Sequence, residues 1–142
     1  MKSLRLIIVH EWALAEAVIS AASKLAEERG LKRVKLIRLR IGELQQIDLE
    51  VFKYALDQIA RERLPEARFE MTVEDAEFRC RVCGRVWRFR RDELDPSVQE
   101  AIHVIPEVAH AFLKCPSCGS SDFEVIKGRG VSIESMVGEA DQ

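Results

Sequence analysis

The sequence predicts an α+β protein: a small mixed three-stranded sheet with two helices on one face, plus an inserted domain that carries four cysteines. Three observations predict this architecture. Two segments have apolar residues at helical spacing, several shorter segments have the composition or alternation of strands, and all four cysteines lie between the second and the last strand of the sheet. Two helices packed on one face of the sheet would bury the apolar sides of all these elements.

The first half of the chain begins with a helix, a strand and a second helix. From Trp12 to Arg29 the apolar residues recur at three- and four-residue spacing, and Gly30 follows as a helix C-cap. Residues 34–41 are rich in Val, Ile and Leu and predict a strand. Asp48 predicts the N-cap of a helix over residues 49–63.

The rest of the chain is dominated by short extended segments. Residues 67–73 alternate between apolar and polar side chains, which predicts the second strand of the sheet. Further extended segments are predicted at 76–80, 86–89, 122–126 and 131–136, with a partly helical stretch somewhere within 91–114. The domains then divide into an α/β part, 1–75 and 127–142, and a cysteine-bearing part, 76–126.

Composition restricts the class of protein. Of the 142 residues, 47% are hydrophobic and 32% are charged, with a net charge of −2. Such a chain can form a core, and it lacks the basic excess typical of proteins that bind nucleic acid or membrane surfaces in bulk. It also has no apolar run of the roughly 18 residues that a membrane span requires. We therefore expect a cytoplasmic protein.

The cysteines form two C-x-x-C pairs, Cys80/Cys83 and Cys115/Cys118, each followed by glycine. Such a pair places two thiolates on one metal, and the glycine permits the left-handed turn that follows. Two pairs together predict a closed tetrahedral zinc site of the zinc-ribbon kind. The 31 residues between the pairs exceed the roughly 15–20 of common ribbons, so an additional element must lie there.

Other interpretations of the cysteines stay open at this point. Iron could occupy the same four-sulfur geometry, or the pairs could be two redox-active dithiols. A zinc-ribbon nucleic-acid-binding protein is an alternative function, because arginines surround the first pair with Trp87 and Phe89 interleaved. The acidic residues that flank these arginines argue against that function. No phosphate-binding loop or nucleophile–base motif indicates an enzyme.

His10 is one of three histidines, and its neighbours distinguish it. The run Val9-His10-Glu11-Trp12-Ala13-Leu14-Ala15-Glu16 resembles the Met-His-Glu opening of the HypA/HybF family, the nickel-insertion proteins of hydrogenase maturation. The resemblance extends through Ile41-Gly42-Glu43-Leu44, both cysteine pairs, Ile105-Pro106-Glu107 and Lys127-Gly128-Arg129-Gly130. The long segment between the pairs is similar to the archaeal branch of the family.

This resemblance implies a nickel metallochaperone and not an enzyme. It implies structural Zn²⁺ at the four cysteines and transported Ni²⁺, with His10 and Glu11 as nickel ligands. The implied partners are a nickel-delivery P-loop nucleotide hydrolase and the large subunit of nickel–iron hydrogenase; a homodimer is also compatible with the sequence.

Two further residues carry over by position as candidate nickel ligands. Asp48 corresponds to a carboxylate used by some relatives, although a plain helix N-cap is the preferred interpretation of this residue. His103 corresponds to a histidine proposed to join the site when a relative meets its partner. His110 follows seven residues later, and could either share that face or be structural near the zinc.

The chain departs from the family pattern before His10. In the family, the protein starts at the methionine before this histidine, and nickel is held by the terminal amine, the imidazole and backbone nitrogen. Here Val9 stands at that position and eight residues precede it. We hypothesise that Val9 is the true start, translated as Met, and that residues 1–8 are a mis-assigned extension. A genuine extension would instead form a stray strand over residues 4–9.

Overall fold

The computed structural model describes residues 2–105 and 108–140, and at residues 2–9, 91, 103 and 104 it describes the backbone alone. Its helices and strands are α1 (Lys2–Glu28), β1 (Leu31–Gly42), α2 (Leu49–Arg63), β2 (Arg68–Glu74), β3 (Glu77–Cys80), β4 (Val86–Arg88), α3 (Pro96–Val104), α4 (Ala109–Phe112), β5 (Phe123–Lys127) and β6 (Val131–Ala140). Over the described part of the chain, no helix is long and apolar enough to span a membrane.

The chain forms two compact units. The α/β unit comprises residues 1–40, 47–72 and 131–142, and the cysteine unit comprises residues 41–46 and 73–130. The segment 41–46 therefore lies with the cysteine unit, whereas the sequence analysis had placed it in the α/β part. The assignment of nickel to one part and zinc to the other stays a prediction.

Helix α1 packs against α2 and β6 in the α/β unit. The two helices meet through the Trp12 and Tyr54 rings, whose centroids are 6.2 Å apart in an edge-to-face arrangement. Further along, the Arg63 guanidinium donates to the Ser20 hydroxyl at 3.2 Å. The apolar face of α2 is turned to the core, since Phe52, Ala55 and Leu56 are completely buried and Ile59 is half-buried.

The sheet of the α/β unit has the strand order β2-β1-β6. Four ion pairs join β1 to flanking chain: Lys35–Glu66, Arg38–Glu70, Arg33–Glu139 and Arg40–Glu134. On the β2 side, the residue numbers of both partners increase together, which indicates parallel chains. On the β6 side, the numbers increase along β1 and decrease along β6, which indicates antiparallel strands. The sheet is therefore mixed, as predicted, and its strands β1 and β2 are parallel across the α2 crossover. Exposed pairs of this kind add little stability, on the order of 0–1 kcal/mol each, but they favour this register.

The start of α1 corrects two expectations. The helix was expected to begin near Trp12, and a genuine extension was expected to form a strand, but the structure has helix from Lys2. His10 consequently lies within a helix and not at its N-terminus. The reason is visible in the sequence, because residues 2–28 contain no glycine or proline that would end a helix.

The cysteine unit is built on a second three-stranded sheet with the order β4-β3-β5. Both neighbours run antiparallel to β3, and Phe78 at its centre pairs with Trp87 on one side and Val125 on the other. The buried core of this unit consists of Leu44, Ala76, Phe78, Phe89, Ile102, Ala109 and Phe123. Helices α3 and α4 supply Ile102 and Ala109, so the long segment between the cysteine pairs is part of the core, and its predicted partial helicity is confirmed.

The glycine-containing motifs of the family are explained by a close backbone crossing inside the cysteine unit. A Cβ atom at Gly42 would overlap the backbone of Gly128. At this crossing, the Gly42 N–H donates to the Gly130 carbonyl at 2.7 Å. The Glu43 carboxylate accepts the Ala76 N–H at 2.8 Å. The two motifs therefore hold each other and fix the position of the chain just before β3.

Candidate metal centre

Each cysteine pair sits in the same kind of tight turn. After Cys80 the chain reverses so that the Gly84 N–H donates to the Cys80 carbonyl at 3.0 Å. The second pair repeats this bond between the Gly119 N–H and the Cys115 carbonyl at 2.9 Å. Both glycines have left-handed backbone, with φ of 81° and 77°, which explains why glycine follows each pair.

The turns also aim backbone N–H groups at sulfur. The N–H groups of Val82 and Cys83 both lie 3.4 Å from the Cys80 sulfur. The Ser117 N–H lies 3.4 Å from the Cys115 sulfur. These donors stabilise negative charge on the first sulfur of each pair, which suits a thiolate that binds metal.

The four sulfurs of the two pairs converge on one point. All of them lie within 4.8 Å of one another. Cys80 and Cys118 have their sulfurs 3.5 Å apart, and those of Cys83 and Cys115 are 3.6 Å apart. A tetrahedral ion with bonds of about 2.3 Å separates its sulfurs by about 3.8 Å. The cluster therefore fits a closed four-thiolate zinc site, and a single shared metal is favoured over two independent dithiols.

In each of the two close sulfur pairs, one thiol has a lowered pKa and the other has a raised pKa. Burial opposes ionisation of Cys115, but the N–H groups of Cys118 and Ser117 lower its pKa to about 6. The Ser120 N–H favours ionisation of Cys118, yet its interaction with the Cys80 sulfur, together with burial, raises the Cys118 pKa to about 12. The Cys83 N–H likewise lowers the pKa of Cys80, and although the Arg85 N–H favours ionisation of Cys83, contact with the Cys115 sulfur raises the Cys83 pKa. Because metal binding requires all four thiolates, it releases the protons that these thiols hold.

Aromatic rings pack around the sheet that carries the cysteines. Phe78 contacts Trp87 with a centroid distance of 5.4 Å and Phe123 with a centroid distance of 5.0 Å. His110 stacks on Phe123 at 4.2 Å with an interplanar angle of 25°. This stacking supports the structural interpretation of His110.

The arginines around the first pair do not form an open nucleic-acid interface. The Arg81 guanidinium pairs with Asp122 at 3.1 Å, and Arg88 pairs with Asp75 at 2.9 Å. Phe89 is buried in the core with 3% exposure and cannot stack on a base. The structure therefore gives no support to the alternative function read from this cluster.

The predicted nickel residues occupy different environments. His10 is half-buried within α1, while Glu11 is completely buried. The nickel-binding roles of His10 and Glu11 stay predictions. The His103 side chain, the Val9 side chain and the Pro106-Glu107 motif lie outside the described part of the structure. Among the described side chains, the four cysteines form the only group of three or more His, Cys, Asp or Glu residues that could hold a metal.

Asp48 is the N-cap of α2. One of its carboxylate oxygens accepts the N–H groups of Glu50 at 3.0 Å and Val51 at 3.2 Å. This confirms the predicted cap, and the proposed nickel-binding role of Asp48 stays a prediction.

Two substitutions at this position separate the cap from a metal-binding role. Asparagine also caps helices well, so Asp48→Asn is expected to keep the stability of α2, whereas Asp48→Ala should cost about 1 kcal/mol. If Asp48 binds nickel, both variants lose Ni²⁺ affinity to a similar degree. Thermal unfolding and Ni²⁺ titration of both variants check this, and an Asp48→Asn protein with unchanged nickel affinity would restrict the residue to capping.

The fold and the site together define a small α+β metal-binding protein with a separate four-thiolate unit. The family model for hydrogenase/urease nickel incorporation metallochaperones, HypA, matches residues 9–138. The chain belongs to this family, which confirms the resemblance seen in its motifs.

Similar proteins agree with this assignment. The hydrogenase maturation factor HypA of Pyrococcus furiosus is 44% identical over 136 residues, covering 94% of this chain and 98% of the relative. The HypA of Methanopyrus kandleri is 35% identical, covering 90% and 92%. Both are archaeal, as the length of the segment between the cysteine pairs predicted. The solution structure of the Helicobacter pylori nickel metallochaperone HypA has a TM-score of 0.64 at 17% identity, covering 92% of this chain and 98% of that one, and so supports the fold.

Proposed function

We propose that this chain binds one Ni²⁺ through His10 and, with a nucleotide-hydrolysing partner, delivers it to the large subunit of nickel–iron hydrogenase. The observation that carries the proposal is the family match over residues 9–138, which includes the His10-Glu11 pair and both cysteine pairs. In this proposal the protein binds and transfers metal without catalysing a reaction. The four reduced cysteines suit the cytoplasm, where thiols are kept reduced.

The two kinds of site suit two different tasks. Four thiolates surround a zinc ion completely, so that site has no open position for exchange and serves folding. A transfer site must release its metal, and therefore needs fewer and weaker ligands. Imidazole, amine and backbone nitrogen are such ligands, and they suit square-planar Ni²⁺. Because these donors bind in their deprotonated forms, nickel binding is expected to weaken below about pH 6.5.

Transfer requires a difference in affinity between two states. A partner can take or give nickel only if docking changes how tightly this chain holds it. His103, which lies in α3, is the residue that we propose joins the ligands in the docked state. Its backbone lies in a helix of the cysteine unit. His103 would therefore add a ligand from outside the α/β unit, which contains His10.

The position at which α1 begins determines how many nitrogen ligands are available at His10. In a helix that runs from Lys2, the His10 backbone N–H lies inside the helix and is not open to a metal. We therefore propose that the nickel-competent form begins at residue 9, where an amine and the His10 N–H are both free to bind.

Two forms of the zinc-loaded protein test this proposal: one that begins at residue 1, and one that begins at residue 9 with Met in place of Val9. Calorimetric titration is expected to show one Ni²⁺ bound at least tenfold more tightly by the shorter form, because it gains the amine. Acetylation of its N-terminus should abolish that gain. Equal affinity in the two forms, or indifference to acetylation, would show that the amine is not a ligand.

A further inference from the structure

A groove in the cysteine unit is not accounted for by zinc or nickel. It has a volume of about 420 Å³ and runs beside β4. Its apolar surface comes from Val86 and Trp87 of β4 together with Leu94 and Leu113. Val86 is 45% exposed, and the other three side chains are half-buried. Accessible apolar surface next to a strand is typical of a peptide-binding site.

The rim of the groove is strongly cationic. Arg85, Arg88, Arg90 and Lys114 line it, against a single carboxylate from Glu93. The Arg85 guanidinium donates to the neutral hydroxyl of Ser117, whereas Arg88 forms an ion pair with Asp75. Arg90 and Lys114 have no ion-pair partner among the side chains that the structure describes. Since the whole chain has a net charge of −2, this local excess favours an acidic occupant.

The backbone of β4 is the edge of its sheet. The Arg85 carbonyl accepts the Cys80 N–H at 2.8 Å, and the Phe89 N–H donates at 2.9 Å to the residue just before β3. Because antiparallel pairing alternates along a strand, the residues between them, Val86 and Arg88, direct their N–H and C=O groups away from β3. These groups form a free edge to which another strand can be added.

We propose that β4 and its groove dock an extended acidic segment of a partner protein, which adds as a fourth strand to the free edge. Main-chain bonds to Val86 and Arg88 would hold the segment, and every second side chain would face the apolar wall or the cationic rim. Nucleic acid fits less well, because the Trp87 ring is half-buried and packs against Phe78 and Phe123, which limits the surface that it can offer to a base. This interaction is independent of the nickel proposal and is measured without nickel.

The probe is a fluorescein-labelled peptide, Glu-Val-Glu-Val-Glu-Val-Glu, titrated with the zinc-loaded full chain at low salt and followed by anisotropy. Saturable binding is expected, and the double variant Arg90→Glu/Lys114→Glu should weaken it at least tenfold. The matched control Lys24→Glu/Arg61→Glu changes the same charges on exposed positions of α1 and α2 and should leave affinity within about twofold. Zinc content and circular dichroism establish that each variant is folded.

Strand addition is tested separately from charge. A version of the peptide that is N-methylated at alternate residues keeps its charges but loses main-chain donors, and should bind at least tenfold more weakly. Val86→Pro, which removes an outward N–H, should do the same to the unmodified peptide. In amide NMR spectra, the Val86 and Arg88 signals should shift on peptide addition.

Several results would overturn the proposal. These are equal binding of a peptide with Lys in place of Glu, equal binding of the N-methylated peptide, or no binding at millimolar concentration. Tighter binding of decathymidylate that the Arg90/Lys114 variant abolishes would assign the groove to nucleic acid. Self-association in sedimentation experiments that Val86→Pro abolishes would assign it to a second copy of this chain.

Discussion

Replacing Cys83 by serine is expected to remove zinc from the protein and to unfold the cysteine unit, while α1 and α2 stay folded. A serine hydroxyl does not ionise near neutral pH and is a poor zinc ligand, so the closed tetrahedral site would lose one of its four sulfurs. Structural zinc contributes on the order of 10 kcal/mol to the folding of small metal-binding domains. Among the described residues, the apolar cluster of the cysteine unit has seven buried members, and so small a core cannot replace that contribution.

The α/β unit should survive because it has a core of its own. Ile19, Ile37 and Leu56 are completely buried there. Metal analysis should show about one zinc per wild-type chain and close to none in Cys83→Ser. Limited proteolysis should cut only within the cysteine unit, residues 41–46 and 73–130. The control is Val82→Ala, in the same turn but 67% exposed, which should keep both zinc and protection. Full zinc occupancy in Cys83→Ser would refute the four-thiolate assignment.

Replacing His10 by alanine is expected to abolish stoichiometric Ni²⁺ binding and to leave zinc unchanged. His10 would supply the imidazole, and its loss leaves an amine and backbone nitrogen that cannot by themselves hold nickel at neutral pH. Zinc should be unaffected because its ligands are all cysteines of the other compact unit. The form that begins at residue 9 is the one to test, by calorimetry and by metal analysis after gel filtration.

A second histidine provides the control for this experiment. His110→Phe removes an imidazole as well, but a phenyl ring can keep the stack on Phe123. Its nickel stoichiometry should equal that of the wild type. If His10→Ala still binds one Ni²⁺ with wild-type affinity, the nickel site lies elsewhere and the proposed transfer function loses its central residue.

Caps, prolines and other local signals in the sequence were sufficient to predict the bounds of the helices that have them. Helix α2 begins and ends at the residues predicted, because Asp48 caps it and Pro65 follows it. The metal centre was equally accessible to sequence reasoning, since C-x-x-C followed by glycine specifies both the turn and the ligands. By contrast, the start of α1 was misplaced, because the apolar periodicity was followed only from Trp12, and no helix-stopping residue separates it from the residues before it.

The sequence by itself therefore determined the α+β class, the four-sulfur site and the family. The tertiary structure alone decided that residues 41–46 belong to the cysteine unit, that Arg81 and Arg88 near the first pair are held in ion pairs, and that β4 is a sheet edge beside a cationic groove. The physical reason is distance along the chain. Caps, turns and metal-binding turns depend on residues a few positions apart, whereas ion pairs, backbone crossings and sheet edges depend on segments that only folding brings together.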